Sequence, residues 1–311
     1  MKPLLPPRLR KGDCIGLISP ASPVADTAKI DAGVRYLETL GYRVEVGKHA
    51  TRINGYLAGT DEERVTDLHD MVRNRKINAI LAVRGGYGTP RLLPLIDYAL
   101  FAKHPKILCG FSDLTALQLA LWRKIRLVTF HGPMLASDYS GTVDPFTEEM
   151  FWRAVTSRKA IGDIALPAPA RVLYGGKAKG RVIGGNLSLV AALLGTSYAP
   201  SFKKSILIIE EVGEEPYRID RLLTQLRQAG AMKRTRAVLA GQFTDCQPKD
   251  SSKPSQTVDD VLKENADASG VPFLAGLPFG HVSRKLTFPI GIRVSVDGEK
   301  GRIAFEEAAV S

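Results

Sequence analysis

Several short stretches put reactive residue types where an apolar run ends. In KILCGFSDLTALQLALW, residues 106–122, the run Ile107–Cys109 stops at Gly110, and Ser112 and Asp113 precede a helix-like segment. A serine at such a turn has two uses. It can cap the helix by accepting a backbone N–H. It can also be a nucleophile projected off a sheet beside a helix N-terminus, whose donors and dipole favour an oxyanion. The letters are not G-x-S-x-G, because Leu114 stands at the second glycine position. No Glu or Gln three residues after Ser112 or Asp113 completes a capping box. On these residues alone both readings stand.

Two glycine turns add backbone donors. Arg84-Gly85-Gly86-Tyr87-Gly88 follows the apolar run INAILAV, and Gly184-Gly185-Asn186 follows RVI. Neither fits a dinucleotide fingerprint or a P-loop. Glycine permits close backbone approach with N–H groups pointing outward, as an oxyanion hole requires. Ser19-Pro20-Ala21-Ser22 is a further strand end of small residues.

Acid–base groups are few. His131 in FHGP and His281 in FGH each end or follow an apolar strand beside glycine. A packing role and an acid–base role are both open for them. His69 reads as a surface residue, His104 as a loop residue, and His49 follows a strand in a basic context. In SILIIEEVGEEPYRIDR, Glu210 and Glu211 stand where four apolar residues end. The period of two sends them to opposite faces, and the apolar lead-in puts Glu210 at the sheet's interior edge. Glu214 and Glu215, just before Pro216, read as a helix start with favourable dipole charge. There is no H-E-x-x-H, no Cys/His pair at ligand spacing and no EF-hand loop, so neither a metal nor a cofactor is expected.

The elements that must position these residues alternate. Apolar runs around Cys14–Ser19, Ile77–Val83, Ile107–Phe111 and Leu127–Met134 read as strands, and the segments between them carry helical periodicity. Continuous apolar strands alternating with helices imply a parallel sheet covered on both faces, with functional groups at the carboxyl ends of its strands. A Pro-, Gly- and base-rich stretch marks the junction, giving residues 1–157 as a first domain, 158–180 as a linker and 181–311 as a second domain. The loop around 244–257 is polar and expected to be mobile.

Bulk composition fits this plan. The 311 residues are 44% hydrophobic and 24% charged, enough for a core without staples. Cys14, Cys109 and Cys246 form no disulfide framework and read as reduced and buried, which suits a cytoplasmic location. The N-terminal apolar stretch is cut by Pro3, Pro6 and Pro7 and does not read as a convincing signal peptide, and no run approaches the length needed to span a bilayer. The net charge is +11, but Lys and Arg are scattered, which argues against nucleic acid and suits a small carboxylate-rich substrate.

Taken in order, LAVRGGYG, CGFSDLTALQLAL, FHGPM, GGNLSLVAALLGT, LIIEEVGEEPYRIDRLLTQLRQAG and GLPFGH resemble the LD-carboxypeptidases over residues 13–295. The resemblance implies a Rossmann/flavodoxin-like N-terminal parallel layer and a C-terminal α/β domain with a partly barrel-like sheet, the active site lying in the cleft between them. It implies a serine peptidase with Ser112 as nucleophile, His281 as base and Glu210 as the histidine's orienting acid. Backbone N–H groups of Asp113 and of Gly85 or Gly86 would hold the oxyanion. Arg84, or the turn Gly184-Gly185-Asn186, would contact a substrate carboxylate. Glu211 stands where the family often has Asp, so either glutamate could orient the histidine. The implied activity is removal of terminal D-Ala from murein tetrapeptides during peptidoglycan recycling, by a cytoplasmic homodimer without nucleic-acid or membrane partners. A microcin-type self-immunity peptidase cleaving peptidyl-nucleotides is an alternative within the family. A non-catalytic muropeptide-binding module of the same shape is an alternative outside it.

Overall fold

The computed structural model describes residues 2–250 and 252–311. The chain forms two compact units. The first holds residues up to Lys159, together with Ser283–Gly291 and Ala308–Ser311; the second holds Ala160–Val282 and Ile292–Glu307.

In the first unit, parallel strands β1 (Cys14–Ile18), β2 (Arg43–Val46), β3 (Ile77–Ala82), β4 (Ile107–Gly110) and β5 (Thr129–His131) lie in the order β5-β4-β3-β1-β2. This is the doubly wound order in which strand succession reverses between β1 and β3. Connecting them are α1 (Ala28–Thr39), α2 (Asp61–Arg73), the short α3 (Thr89–Leu92) and α4 (Tyr98–Lys103), and α5 (Leu114–Ile125); α6 (Leu135–Asp138) and α7 (Pro145–Thr156) follow β5. The pattern sets these elements. α1 buries Ile30, Gly33 and Leu37 along one stripe. Thr60 and Glu63 close a reciprocal capping box on α2, whose first turn carries Asp61, Glu62 and Glu63. α5 is buried all round from Leu114 to Trp122.

The second unit is built on β6 (Gly162–Asp163), β7 (Arg171–Tyr174), β8 (Lys177–Asn186), β9 (Ser205–Val212), β10 (Ala237–Thr244) and β11 (Phe273–Ala275). After β12 (Phe288–Ile290), which belongs to the first unit, it is completed by β13 (Arg293–Asp297) and β14 (Arg302–Phe305). The sheet order is β6-β14-β13-β8-β9-β10-β11-β7, with β8 to β11 parallel and the flanking strands antiparallel. Helices α8 (Leu187–Ala192), α9 (Pro216–Gln228), α10 (Ala231–Arg234) and α11 (Val258–Ser269) join its strands.

The second sheet is open among the described residues, with β6 and β7 as its two edges and no closed barrel. Two expectations about the domain limits need revision. The stretch 158–180 is not only linker, since it contributes β6, β7 and the start of β8. Its largely exposed β7, Arg171-Val172-Leu173-Tyr174, pairs at the sheet edge with β11, and the Pro- and Gly-rich residues on either side conceal it as a strand. The second domain is also not continuous to residue 311. Within the first unit, β12 pairs antiparallel with β5, and Thr147 Oγ1 accepts the Lys285 N–H at 2.7 Å while donating to the Ser283 carbonyl at 2.8 Å. Lys285 Nζ pairs with the buried Asp138 carboxylate and lies 4.8 Å from the Phe111 ring centre. The polar loop expected at 244–257 runs from the end of β10 to Thr257, which caps α11; its Ser251 lies outside the described residues. No described helix is long and apolar enough to cross a membrane.

Two predictions follow from the packing. A Cβ on Gly184 would lie 2.0 Å from the Ile208 carbonyl oxygen, and its φ of 123° is one that L-residues rarely adopt. Gly184→Ala is expected to cost on the order of 3 kcal/mol in urea unfolding; a loss below about 0.5 kcal/mol would contradict the contact. All three cysteines are buried, and burial raises each thiol, Cys246 to about 11. A raised thiol keeps its proton, so at pH 8 only about one Cys246 in a thousand is thiolate. Ellman's reagent at that pH should find no fast thiol in the native protein and three after denaturation.

Candidate active site

Ser112 sits between β4 and α5. The helix begins at Leu114, so the N-cap position falls on Asp113, whose side chain does not cap. Ser112 is therefore one residue outside the position a cap would take. On either side of the turn, Phe111 and Leu114 are anchored in a core cluster with Ala82 and Met134. With both flanks held, the chain reverses through Ser112 at φ 62°, a left-handed conformation costly for a residue with a Cβ. Such strain occurs where a nucleophile is held on a strand-to-helix turn. Behind the turn, the buried Gln118 Nε2 donates to the carbonyls of Gly110 at 2.9 Å and Phe130 at 2.8 Å, satisfying the strand ends.

The glycine turn after β3 lies against this serine. A Cβ on Gly85 would fall 3.0 Å from Ser112 Cβ and 3.2 Å from its Oγ. Gly86, at φ 112°, rests on Ser22, whose Oγ accepts the Tyr87 N–H at 3.0 Å. The structure thus brings three of the strand ends, Ser19–Ser22, Arg84–Gly88 and Gly110–Asp113, to one place in the first unit. Arg84 is half-buried, and its Nη1 donates to the Pro23 carbonyl at 3.0 Å.

The Asp113 side chain, 1% exposed, turns away from its own helix and accepts the Thr89 N–H at 2.7 Å, while the Thr89 hydroxyl donates to the Asp113 carbonyl. Burial raises the Asp113 carboxyl above its usual range, and the donors from Thr89 and Gly88 oppose that rise. Arg64, fully buried on α2, donates to the Pro20 carbonyl at 2.6 Å and pairs with Asp61. Its guanidinium is also where a Cβ on Gly88 would have to go. No sequence signal singles out Thr89 or Arg64; a polar residue in an amphipathic helix reads as a surface residue until the fold buries it.

In the second unit, Glu210 and Glu211 separate in function. Glu210 is fully buried, and its Oε2 lies 2.8 Å from His281 Nδ1. Gly280, at φ 103°, lets this approach happen, since a Cβ there would meet Glu210 Oε2 at 2.8 Å. The imidazole remains 22% exposed, and the Thr244 hydroxyl donates to the His281 carbonyl at 3.0 Å. Glu211 is also buried but serves the Gly184-Gly185-Asn186 turn. It accepts Asn186 Nδ2 at 2.8 Å, the Ser188 N–H at 2.9 Å and the Ser188 hydroxyl at 2.6 Å. Burial raises the Glu211 carboxyl, and these donors hold the rise back. Asn186 Oδ1 in turn accepts the Leu189 N–H and caps α8. With the Asn186 side chain buried and engaged in this way, what the turn offers a ligand is backbone.

The remaining histidines fall outside this arrangement. His131, 1% exposed, packs its ring 5.9 Å from that of Phe111. His69, expected at the surface, is half-buried, and its Nε2 accepts the Asp97 N–H at 3.0 Å. His49 forms another histidine–carboxylate pair, 2.8 Å from the buried Asp67, which also accepts the His49 backbone N–H. That bond ties the loop after β2 to α2.

Comparison with known proteins places the chain in a family. Residues 15–132 match the LD-carboxypeptidase N-terminal domain, and residues 179–296 match the LD-carboxypeptidase C-terminal domain. A probable murein peptide carboxypeptidase of Bacillus subtilis is 39% identical over 307 residues, covering 98% of this chain and 95% of the relative. The murein tetrapeptide carboxypeptidase of Pseudomonas aeruginosa is 35% identical over 297 residues, covering 93% and 94%. The microcin C7 self-immunity protein MccF of Escherichia coli is 30% identical over 342 residues, covering 99% and 97%. A solved structure of MccF, in complex with glutamyl sulfamoyl guanosine, superposes with a TM-score of 0.91 at 28% identity, covering 99% of this chain and all of that one. By both of its domains and along nearly its whole length, the chain belongs to the LD-carboxypeptidase family.

Proposed function

We propose that this carboxypeptidase is of the serine type and removes the terminal D-Ala of murein tetrapeptides, cleaving the bond from the L-centre of the diamino acid. The observation that carries this reading is the buried Glu210 carboxylate 2.8 Å from Nδ1 of a partly exposed histidine. A carboxylate there holds the imidazole with Nδ1–H toward it and Nε2 as the basic nitrogen, and it stabilises the imidazolium once a proton is taken. Ser112, on its strained turn beside a helix N-terminus, is the nucleophile.

In this reading Nε2 of His281 takes the Ser112 proton as Oγ adds to the amide carbonyl. The oxyanion is held by backbone N–H groups of Asp113 and of Gly85 or Gly86. Collapse of the adduct breaks the C–N bond, and His281 returns the proton to the leaving D-Ala amine. Water, activated by the same base, hydrolyses the acyl-enzyme and restores Ser112. Arg84 and the Gly184-Gly185-Asn186 turn contact substrate carboxylates, which a chain of net charge +11 attracts. With this activity go a place in peptidoglycan recycling, a cytoplasmic location and a homodimer, and no role for nucleic acid or membrane. The names of the B. subtilis and P. aeruginosa relatives support the murein substrate. The likeness to MccF supports a second reading, cleavage of a peptidyl-nucleotide, tested by offering an aminoacyl sulfamoyl nucleoside in place of murein peptide.

Incubation with murein tetrapeptide should release D-Ala, and a fluorophosphonate should label the protein. Ser112→Ala should abolish both; labelling that survives the substitution would move the nucleophile elsewhere. Glu210→Gln should lower kcat by about 10³-fold or more, because the amide no longer selects the productive tautomer. Arg84→Ala should raise KM about tenfold with kcat little changed; an unaltered kcat/KM would remove Arg84 from the substrate.

A further inference from the structure

Each of the proposed reacting residues Ser112 and Glu210 is followed by an acid, and both of these acids, Asp113 and Glu211, are buried. Each accepts a backbone N–H near the start of the helix that follows a glycine turn. Asp113 takes the N–H of Thr89, the residue after Arg84-Gly85-Gly86-Tyr87-Gly88 and the first of α3. Glu211 takes the N–H of Ser188, the second residue of α8, just after Gly184-Gly185-Asn186. The two clamps lie in different units and rest on separate sets of hydrogen bonds.

We propose that Asp113 and Glu211 are positioning residues, Asp113 holding the glycine turn that supplies oxyanion donors beside Ser112 and Glu211 holding the glycine turn that receives the substrate. The physical reason is twofold. A glycine-rich turn has no side chains to fix its N–H groups, so it needs an external anchor to be pre-organised. A buried carboxylate is a strong anchor because its lost hydration must be replaced by donors at fixed places. Asp113 has a second hold, since its own backbone carbonyl accepts the Thr89 hydroxyl, so the residue carrying one proposed oxyanion donor and the turn carrying the other are tied together. Arg64 braces the same place from behind, through the Pro20 carbonyl and against Gly88.

This inference rests on the serine-peptidase reading but fails separately from it. The test compares Asp113→Asn, Asp113→Ala, Glu211→Gln and Glu211→Ala, with Thr89→Ala and Ser188→Ala as milder changes that each remove one donor and leave the carboxylate. D-Ala release from murein tetrapeptide and the rate of fluorophosphonate labelling are both measured on the folded fraction. Loosening an oxyanion donor by about 1 Å costs about 10²-fold, so Asp113→Ala should lower kcat and labelling rate together on that scale, with KM little changed. Asp113→Asn, which keeps one acceptor, should recover part of the loss. Glu211→Ala should instead raise KM about tenfold and slow labelling much less than Asp113→Ala does. Thr89→Ala should resemble a weak Asp113 variant, and Ser188→Ala a weak Glu211 variant. Variants that lose thermal stability while their folded fraction keeps wild-type kcat, KM and labelling would overturn the proposal, as would Glu211 variants that lose labelling as Glu210→Gln does. If wild-type protein neither labels nor releases D-Ala while Ser112→Ala behaves identically, it is the serine-peptidase reading that fails.

Discussion

A carboxylate taken out of water must recover in hydrogen bonds what it loses in hydration. This constraint organises the reactive parts of the molecule. Asp67, Asp113, Glu210 and Glu211 are buried, and so is the side chain of Asp138. Each has donors at fixed places: His49 and its backbone for Asp67, Thr89 for Asp113, His281 for Glu210, Asn186 and Ser188 for Glu211, and Lys285 and the Met134 N–H for Asp138. Most of those donors lie in turns that follow strands. The acids therefore fix loop geometry that strand pairing alone leaves free.

The turns themselves are made by sterics. Phe111 and Leu114 are core residues that directly flank the Ser112-Asp113 pair, so the chain between them has to turn sharply. Gly85 leaves the space that a side chain would take from Ser112, and Gly280 does the same for Glu210. A small residue beside a proposed reacting one is in both cases a clearance requirement. The positive φ of Ser112 places the conformational cost at the proposed nucleophile itself.

Much of this is legible in the sequence. Apolar runs ending in Ser, Gly or Glu gave the strand ends, and alternation with amphipathic segments gave a parallel layer in the first unit. The resemblance carried by RGGYG, GFSDL, GGN, IIEEVGEEPYRIDR and FGH led to the family that both domain matches and full-length relatives support. The weak points were compositional. A Pro- and Gly-rich stretch hid edge strand β7, and a continuous second domain hid the return of Ser283–Gly291 to the first unit. An edge strand has little need of an apolar pattern, and β12 carries no sign of which sheet it joins.

What the sequence determined by itself is local: which runs are strands, which faces of the helices are apolar, and which residues of reactive type stand at the ends of those runs. These follow from side-chain periodicity and from the conformational freedom of glycine, which act over a few residues. Tertiary structure decided the partners. Adjacent glutamates are equivalent as letters, yet Glu210 faces His281, 71 residues away, and Glu211 faces Asn186 and Ser188, 25 and 23 residues away. Asp113 looks like a helix cap and instead holds Thr89. Distant burial makes these choices, because only the folded chain determines which donors remain within reach of an acid that water can no longer solvate.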